Sequence, residues 1–226
     1  MPNHVTNEIR IIGPEERVAD FFQRAKQTVE EMDRQGKRGP VEREFSFRGF
    51  VPPPEHPDYT SGGCSHNHFE FHRKVAALDP HPNCWYAWNP DNWGTKWDAY
   101  DIKIGGPNTI LDRLARSDSG VVEEVVLFDT AWSPPFPVFQ KMVELYPDCR
   151  FEFSWMNEDM HGSGGGYVSA KDGVVGDVVD GLSDPDSPET GAKWWQLASN
   201  LKGYSTERHN DYLAEVAEDE RLSAEK

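Results

Sequence analysis

Lys96 and Asp98 sit two residues apart within Asn92-Trp93-Gly94-Thr95-Lys96-Trp97-Asp98-Ala99, and a second tryptophan segment, Thr130-Ala131-Trp132-Ser133-Pro134-Pro135, follows downstream. A cation and a carboxylate among large aromatic rings is the composition of a ligand pocket, which needs apolar walls and a few placed polar groups. On that reading Trp93, Trp97 and Trp132 line a site, Lys96 and Asp98 give it polar specificity, and Ser133, a good helix N-cap, starts a helix beside them. The competing reading is a satellite core, with the tryptophans pinning a long insertion onto a sheet. Large aromatics dominate core energetics, so packing is the stronger account of Trp93 and Trp97. Packing does not require Lys96 or Asp98.

A second group with chemical capacity is Cys64-Ser65-His66-Asn67-His68-Phe69-Glu70-Phe71-His72. On a strand, Cys64, His66, His68 and His72 would share one face with Glu70; on a helix, His68 and His72 form an i,i+4 pair. Either arrangement could hold zinc or nickel, with His56, His81 or Cys84 completing the set. Neither HExxH nor a CxxC pair is present, and a solvated loop with Phe69 and Phe71 buried is the simpler reading. No cofactor is therefore expected, with zinc as the alternative. The run Gly162-Ser163-Gly164-Gly165-Gly166 lacks the phosphate-loop pattern and reads as a hairpin turn. Asp98, Asp129, Glu158 and His161 are acid/base groups, but no spacing sets a nucleophile beside a base, so no catalytic residue is named.

The elements that must position these groups come from periodicity. Asn7 to Ile12 alternates as a strand. Pro14 opens a helix whose stripe runs Val18, Phe21, Phe22, Ala25, Val29 and Met32, with Gly36 as its stop. Glu44 to Phe50 reads as a second strand, ended by Pro52-Pro53-Pro54. Residues 51–110 form a long insertion that contains the first tryptophan motif. Val121 to Thr130 is a third strand. A helix from Ser133 to Tyr146, a strand through Phe151, Phe153 and Trp155, and a partner strand at Tyr167 to Ala170 follow. Strand-helix-strand twice over is a ferredoxin-like α+β sandwich, an antiparallel sheet with both helices on one face. That domain spans 1–175; residues 176–226 add a loop and two helices, Ala192 to Leu201 and Thr206 to Leu222.

Three stretches carry a family resemblance: Met1-Pro2-Asn3 before the first strand, Trp85-Tyr86-Ala87-Trp88 leading into the first tryptophan motif, and Phe128-Asp129-Thr130-Ala131-Trp132-Ser133-Pro134-Pro135-Phe136-Pro137. Together they resemble the YubB-type (phage Api-like) ferredoxin-like proteins of phages and conjugative plasmids, a family of uncharacterised function. The resemblance covers roughly residues 1–175 and implies the fold and a mobile-element origin. Where relatives show Tyr-x-Glu-x-Gly, this chain has Trp155-Met156-Asn157-Glu158-Asp159.

Charge bounds the function. The 226 residues carry 39 acidic against 23 basic groups, a net charge of −16, which repels phosphate backbones and disfavours direct nucleic-acid binding. Three cysteines without framework spacing fit a reducing compartment. Met1-Pro2-Asn3-His4 shows no signal pattern, and no apolar run is long enough to cross a membrane. The expectation is a cytoplasmic protein of a bacterial host cell that acts without catalysis. It would bind a host protein, of nucleic-acid handling or defence, by covering a basic surface. The alternative is a small-molecule or metal-dependent enzyme at the tryptophan-rich insertion.

Overall fold

The computed structural model describes residues 3–32, 37–54, 85–105 and 120–224. The central strand β1 (His4–Pro14) alternates buried and part-buried positions along its whole length, turning Val5, Ile9 and Ile11 inward. It runs into α1 (Glu15–Ala25), whose first turn carries Glu15 and Glu16 and whose last carries Arg24, matching the helix dipole at both ends.

α1 stops seven residues short of the expected Met32. Lys26 is extended, at ψ 121°, and β2 (Gln27–Met32) pairs with β3 (Arg38–Arg43) in a hairpin apart from the main sheet. Val29 fits an i+11 helical position and a strand face equally well, and it is buried on the strand. What ends the helix comes from elsewhere in the chain: Ser46 N donates to Ala25 O at 3.0 Å and Arg24 Nη1 to Gly49 O at 3.3 Å. The expected strand Glu44 to Phe50 is likewise corrected. Ser46 caps a 3-10 turn, Phe47–Gly49, by accepting from Arg48 N at 3.2 Å. Phe45, Phe47 and Phe50 are all buried, so their alternation came from a coiled segment folded under the core.

The position assigned to that strand is filled by β4 (Tyr100–Ile104), which lies inside the expected insertion 51–110 and so takes its last part into the sheet. After it come β5 (Val121–Ala131), β6 (Arg150–Asn157), β7 (Gly165–Lys171), β8 (Val174–Val175) and β9 (Val179–Leu182). The sheet order is β4-β5-β1-β6-β7-β8, with β9 also on β7, and all pairings are antiparallel. Its first four strands, read as β6-β1-β5-β4, are the ferredoxin-like arrangement. Between β4 and the turn at Phe47–Gly49 lies α2 (Trp85–Trp93), and α3 (Phe136–Leu145) joins β5 to β6.

α1 and α3 cover the inner face. Phe21, Phe139 and Met142 pack there on Ile9, Phe128, Phe151 and Phe153, with the Phe139 and Phe153 rings stacked at 4.2 Å. The outer face receives α4 (Gly191–Lys202), which lays Trp194, Leu197 and Leu201 on Met156 and Leu182. Gly203 ends it in the left-handed conformation, φ 59°, which glycine adopts without a Cβ clash. α5 (Thr206–Ala224) follows.

Candidate functional site

The two tryptophan segments meet at the end of the sheet where β1 begins and β5 ends. Gly94 makes the approach possible. It lies at φ 76°, and a Cβ there would sit 2.7 Å from Pro137 Cδ. Its carbonyl accepts from Ser133 Oγ. Thr95 Oγ1 donates to Ala131 O at 2.7 Å and Lys96 N to the same oxygen at 3.2 Å. Ser133 therefore ties the segments together; the helix it was expected to cap starts at Phe136, with Pro135 at its N-cap position.

The tryptophans divide into two kinds. Trp93 is 1% exposed, donates its indole N–H to Val51 O at 2.8 Å and meets Phe47 and Trp88 edge-on. Trp97 and Trp132 are 37% and 43% exposed. Between them stands Lys96, with Nζ 4.5 Å from the Trp132 ring and 5.4 Å from the Trp97 ring, within cation–π range of both. Trp132 holds φ at 81°, a left-handed value that costs a bulky residue about 1–3 kcal/mol. Its amide donates to Asn3 O at 2.8 Å.

Asp98 faces the other way. Its carboxylate accepts from Ser46 Oγ at 2.6 Å, Phe47 N at 2.8 Å and Ala99 N at 2.9 Å, and Arg48 Nε lies 3.9 Å away. Burial pushes its pKa up, against the pull of those donors and of Arg43. Arg43 in turn donates to Ala99 O at 2.6 Å. Asp98 thus fastens the insertion to the turn that caps α1, whereas Lys96 stands between Trp97 and Trp132.

A polar line that the sequence did not announce continues from the tryptophan edge across the outer face. Trp97 packs edge-on against Tyr100 at 6.0 Å. The Tyr100 hydroxyl lies 2.6 Å from His4 Nδ1 and donates to Thr130 O at 3.0 Å. Burial, followed by the charges of Asp129, Asp101 and Glu158, pushes that phenol upward. Next along, Thr6 Oγ1 donates to Asp129 Oδ1 at 2.6 Å and accepts from Lys202 Nζ at 2.7 Å. Burial lowers the Lys202 ammonium, and Asp129 and Glu158 act in the opposite sense. Thr6 and Lys202 are separated by 196 positions, so no local pattern could have joined them.

The other expected groups lie apart. Gly165 and Gly166 open β7, and a Cβ on Gly166 would lie 2.4 Å from the Trp155 ring, so this glycine makes room for an indole. His161 packs against α4 and α5. Cys64, His66, His68 and His72 fall outside the described residues, as do His56, His81 and Cys84. Among the described residues no group of three or more His, Cys, Asp or Glu side chains is placed to hold a metal ion, and no helix is long and apolar enough to cross a membrane.

With this geometry in hand, the family described as "Ferredoxin-like domain in Api92-like protein" matches residues 113–192. The chain is similar to the Api92-like proteins. The match covers β5 through β9 and bears out the ferredoxin-like fold; it begins beyond the first tryptophan motif. A crystal structure of protein Api92 from Yersinia pseudotuberculosis is similar at a TM-score of 0.45 and 10% identity, over 80% of this chain and 98% of that one; at that distance it carries no functional argument. No curated protein matches.

Proposed function

We propose that this Api92-like chain is a binding protein, without catalysis of its own, that covers a basic surface of a host protein with its exposed Trp97 and Trp132 and the carboxylates beside them. One observation carries the reading. Trp132 is held 43% exposed on a backbone at φ 81°; burial does not account for the ring, and the strain is what a functional contact would justify. Exposed tryptophans are the usual anchors of interfaces. The carboxylates of Asp101, Asp129 and Glu158 gather around neighbouring Tyr100, and the chain's net charge of −16 would steer a basic partner towards it. A mobile-element origin and a target in host nucleic-acid handling or defence extend this reading and rest on the tryptophan motifs.

The test uses Trp132→Gly, because glycine accepts φ 81° and the variant keeps the backbone while losing the ring. With bacterial lysate and carbodiimide cross-linking, the parent chain should retain a partner whose lysines are joined to the exposed carboxylates of Asp101 or Glu158. Retention should fall as salt shortens the screening length and should be lost in the variant. Equal capture by the variant, or capture indifferent to salt, refutes the proposal.

A second reading is favoured by Thr6, whose hydroxyl is held between Lys202 and Asp129 at 2.7 and 2.6 Å. A hydroxyl bonded to a carboxylate and an ammonium is arranged for proton transfer, and the outer face would then be the site of a small-molecule enzyme. Thr6→Val preserves shape and removes the relay. Under this reading it abolishes turnover of a substrate found by screening and leaves partner capture intact.

A further inference from the structure

α5 is attached to the domain through a small aromatic box. Among its described residues His209 is the buried one, at 6% exposure, while Tyr212 and Leu213 are 37% and 47% exposed. The His161 ring, from the β6–β7 turn, lies parallel to Tyr212 at 4.1 Å and stacks on His209 at 5.4 Å. His161 Nε2 is 3.1 Å from the Tyr204 hydroxyl, and His209 meets Trp195 edge-on at 5.1 Å. His209 Nδ1 is buried with no hydrogen-bond partner, so the ring is held in the box by packing.

We propose that His161 is the acid-sensitive element of a latch, which holds α5 on the domain while its ring is neutral and releases it when the ring is protonated. An imidazolium at His161, stacked on Tyr212 and His209 in a half-enclosed box, loses solvation that it regains on undocking. The charged groups facing the ring do not offset this. From the β6–β7 turn, Asp159 acts on His161, but its carboxylate is held by Gly162 N at 2.9 Å. From α5, Arg208 lies over the Tyr204 ring at 5.6 Å and adds positive charge. α4 contributes Trp194 and Trp195, which are uncharged, and its Lys193 lies over Tyr167 instead. Glu207 and Asp211 are on exposed positions of α5. Burial and then His209 lower the His161 pKa below the ordinary 6.5. The docked form therefore binds fewer protons than the released form, and docking is lost as pH falls below about 6.5.

The experiment is hydrogen exchange of the 206–219 amides between pH 7.5 and 5.0, corrected for the intrinsic rate. Protection should fall by up to about tenfold per pH unit, for one net proton taken up, while β1 and β6 amides keep theirs. His161→Phe keeps the stacking on Tyr212 and should hold α5 protected throughout. If that substitution disturbs docking at pH 7.5, His161→Gln, which removes the titratable ring and can still meet the Tyr204 hydroxyl, should flatten the pH slope instead. Protection of α5 that is independent of pH in the parent chain, or the same fall in the variants, overturns the latch.

Discussion

Replacing Asp98 tests whether the tryptophan motif is built on a structural carboxylate. The side chain is 13% exposed and accepts from Ser46 Oγ, Phe47 N and Ala99 N at 2.6, 2.8 and 2.9 Å. The Ala99 bond joins neighbouring residues and can form in the unfolded chain, so two bonds count towards folding. Hydrogen bonds to a charged group contribute roughly 1.5–3 kcal/mol each, and alanine also leaves Arg48 and Arg43 facing an empty site. Asp98→Ala should cost about 3–5 kcal/mol, the range for breaking a buried charge pair. Asp98→Asn keeps an oxygen for the Phe47 amide and should cost only about 1–2 kcal/mol. The pH dependence has a definite sign. The folded pKa is raised above the ordinary 3.8, with burial as the largest cause, so the folded state holds the proton more tightly than the unfolded one. The parent chain's advantage over Asp98→Asn is therefore greatest below pH 3.8 and shrinks as pH rises through the folded value. Urea melts of the three proteins from pH 3 to 8 measure both effects. A loss under about 1 kcal/mol for alanine would make the contacts surface-like. An advantage over asparagine that grows with pH would show that the donors and arginines outweigh desolvation.

Gly94→Ala should cost about 1–3 kcal/mol in denaturant melts, because φ is 76° and the new Cβ would meet Pro137 Cδ at 2.7 Å; unchanged stability would mean the two tryptophan segments are not locked together. Cys149 is 2% exposed, and its thiol is pushed up to about 11 by burial first and then by Asp148. Iodoacetamide at pH 8 should modify it only on unfolding, as read by peptide mapping. Leu197→Ala, at a site 4% exposed, should cost about 2–5 kcal/mol and release α4 from the outer face, seen as loss of amide protection over 191–202.

What the sequence made legible was local. β1, β5, α3, β6 and α4 each carry a full period of apolar residues, and each formed within a few positions of expectation. α1 was legible for three turns and not at its end, because Val29 satisfies both periods and the deciding bonds come from Ser46 and Gly49. β4 escaped because it is short and irregular: Asp101 sits at φ 51° and the register shifts between Tyr100 and Lys103, which erases the alternation a strand should show. The site divides on the same principle. That the two tryptophan segments touch could be expected from their composition, whereas the line through Thr6, Asp129 and Lys202 exists only once β1, β5 and α4 are assembled. Within the motif itself, residue type does not separate the two kinds of work. A carboxylate beside tryptophans suits a pocket, yet Asp98 is taken up by two backbone amides and a serine, as a cap would be. A tryptophan suits a core, yet Trp132 is turned outward on a strained backbone. What separates them is where the donors of other segments fall: Ser46 and Phe47 present theirs to Asp98, and only the fold could bring a turn that precedes the insertion to a carboxylate within it.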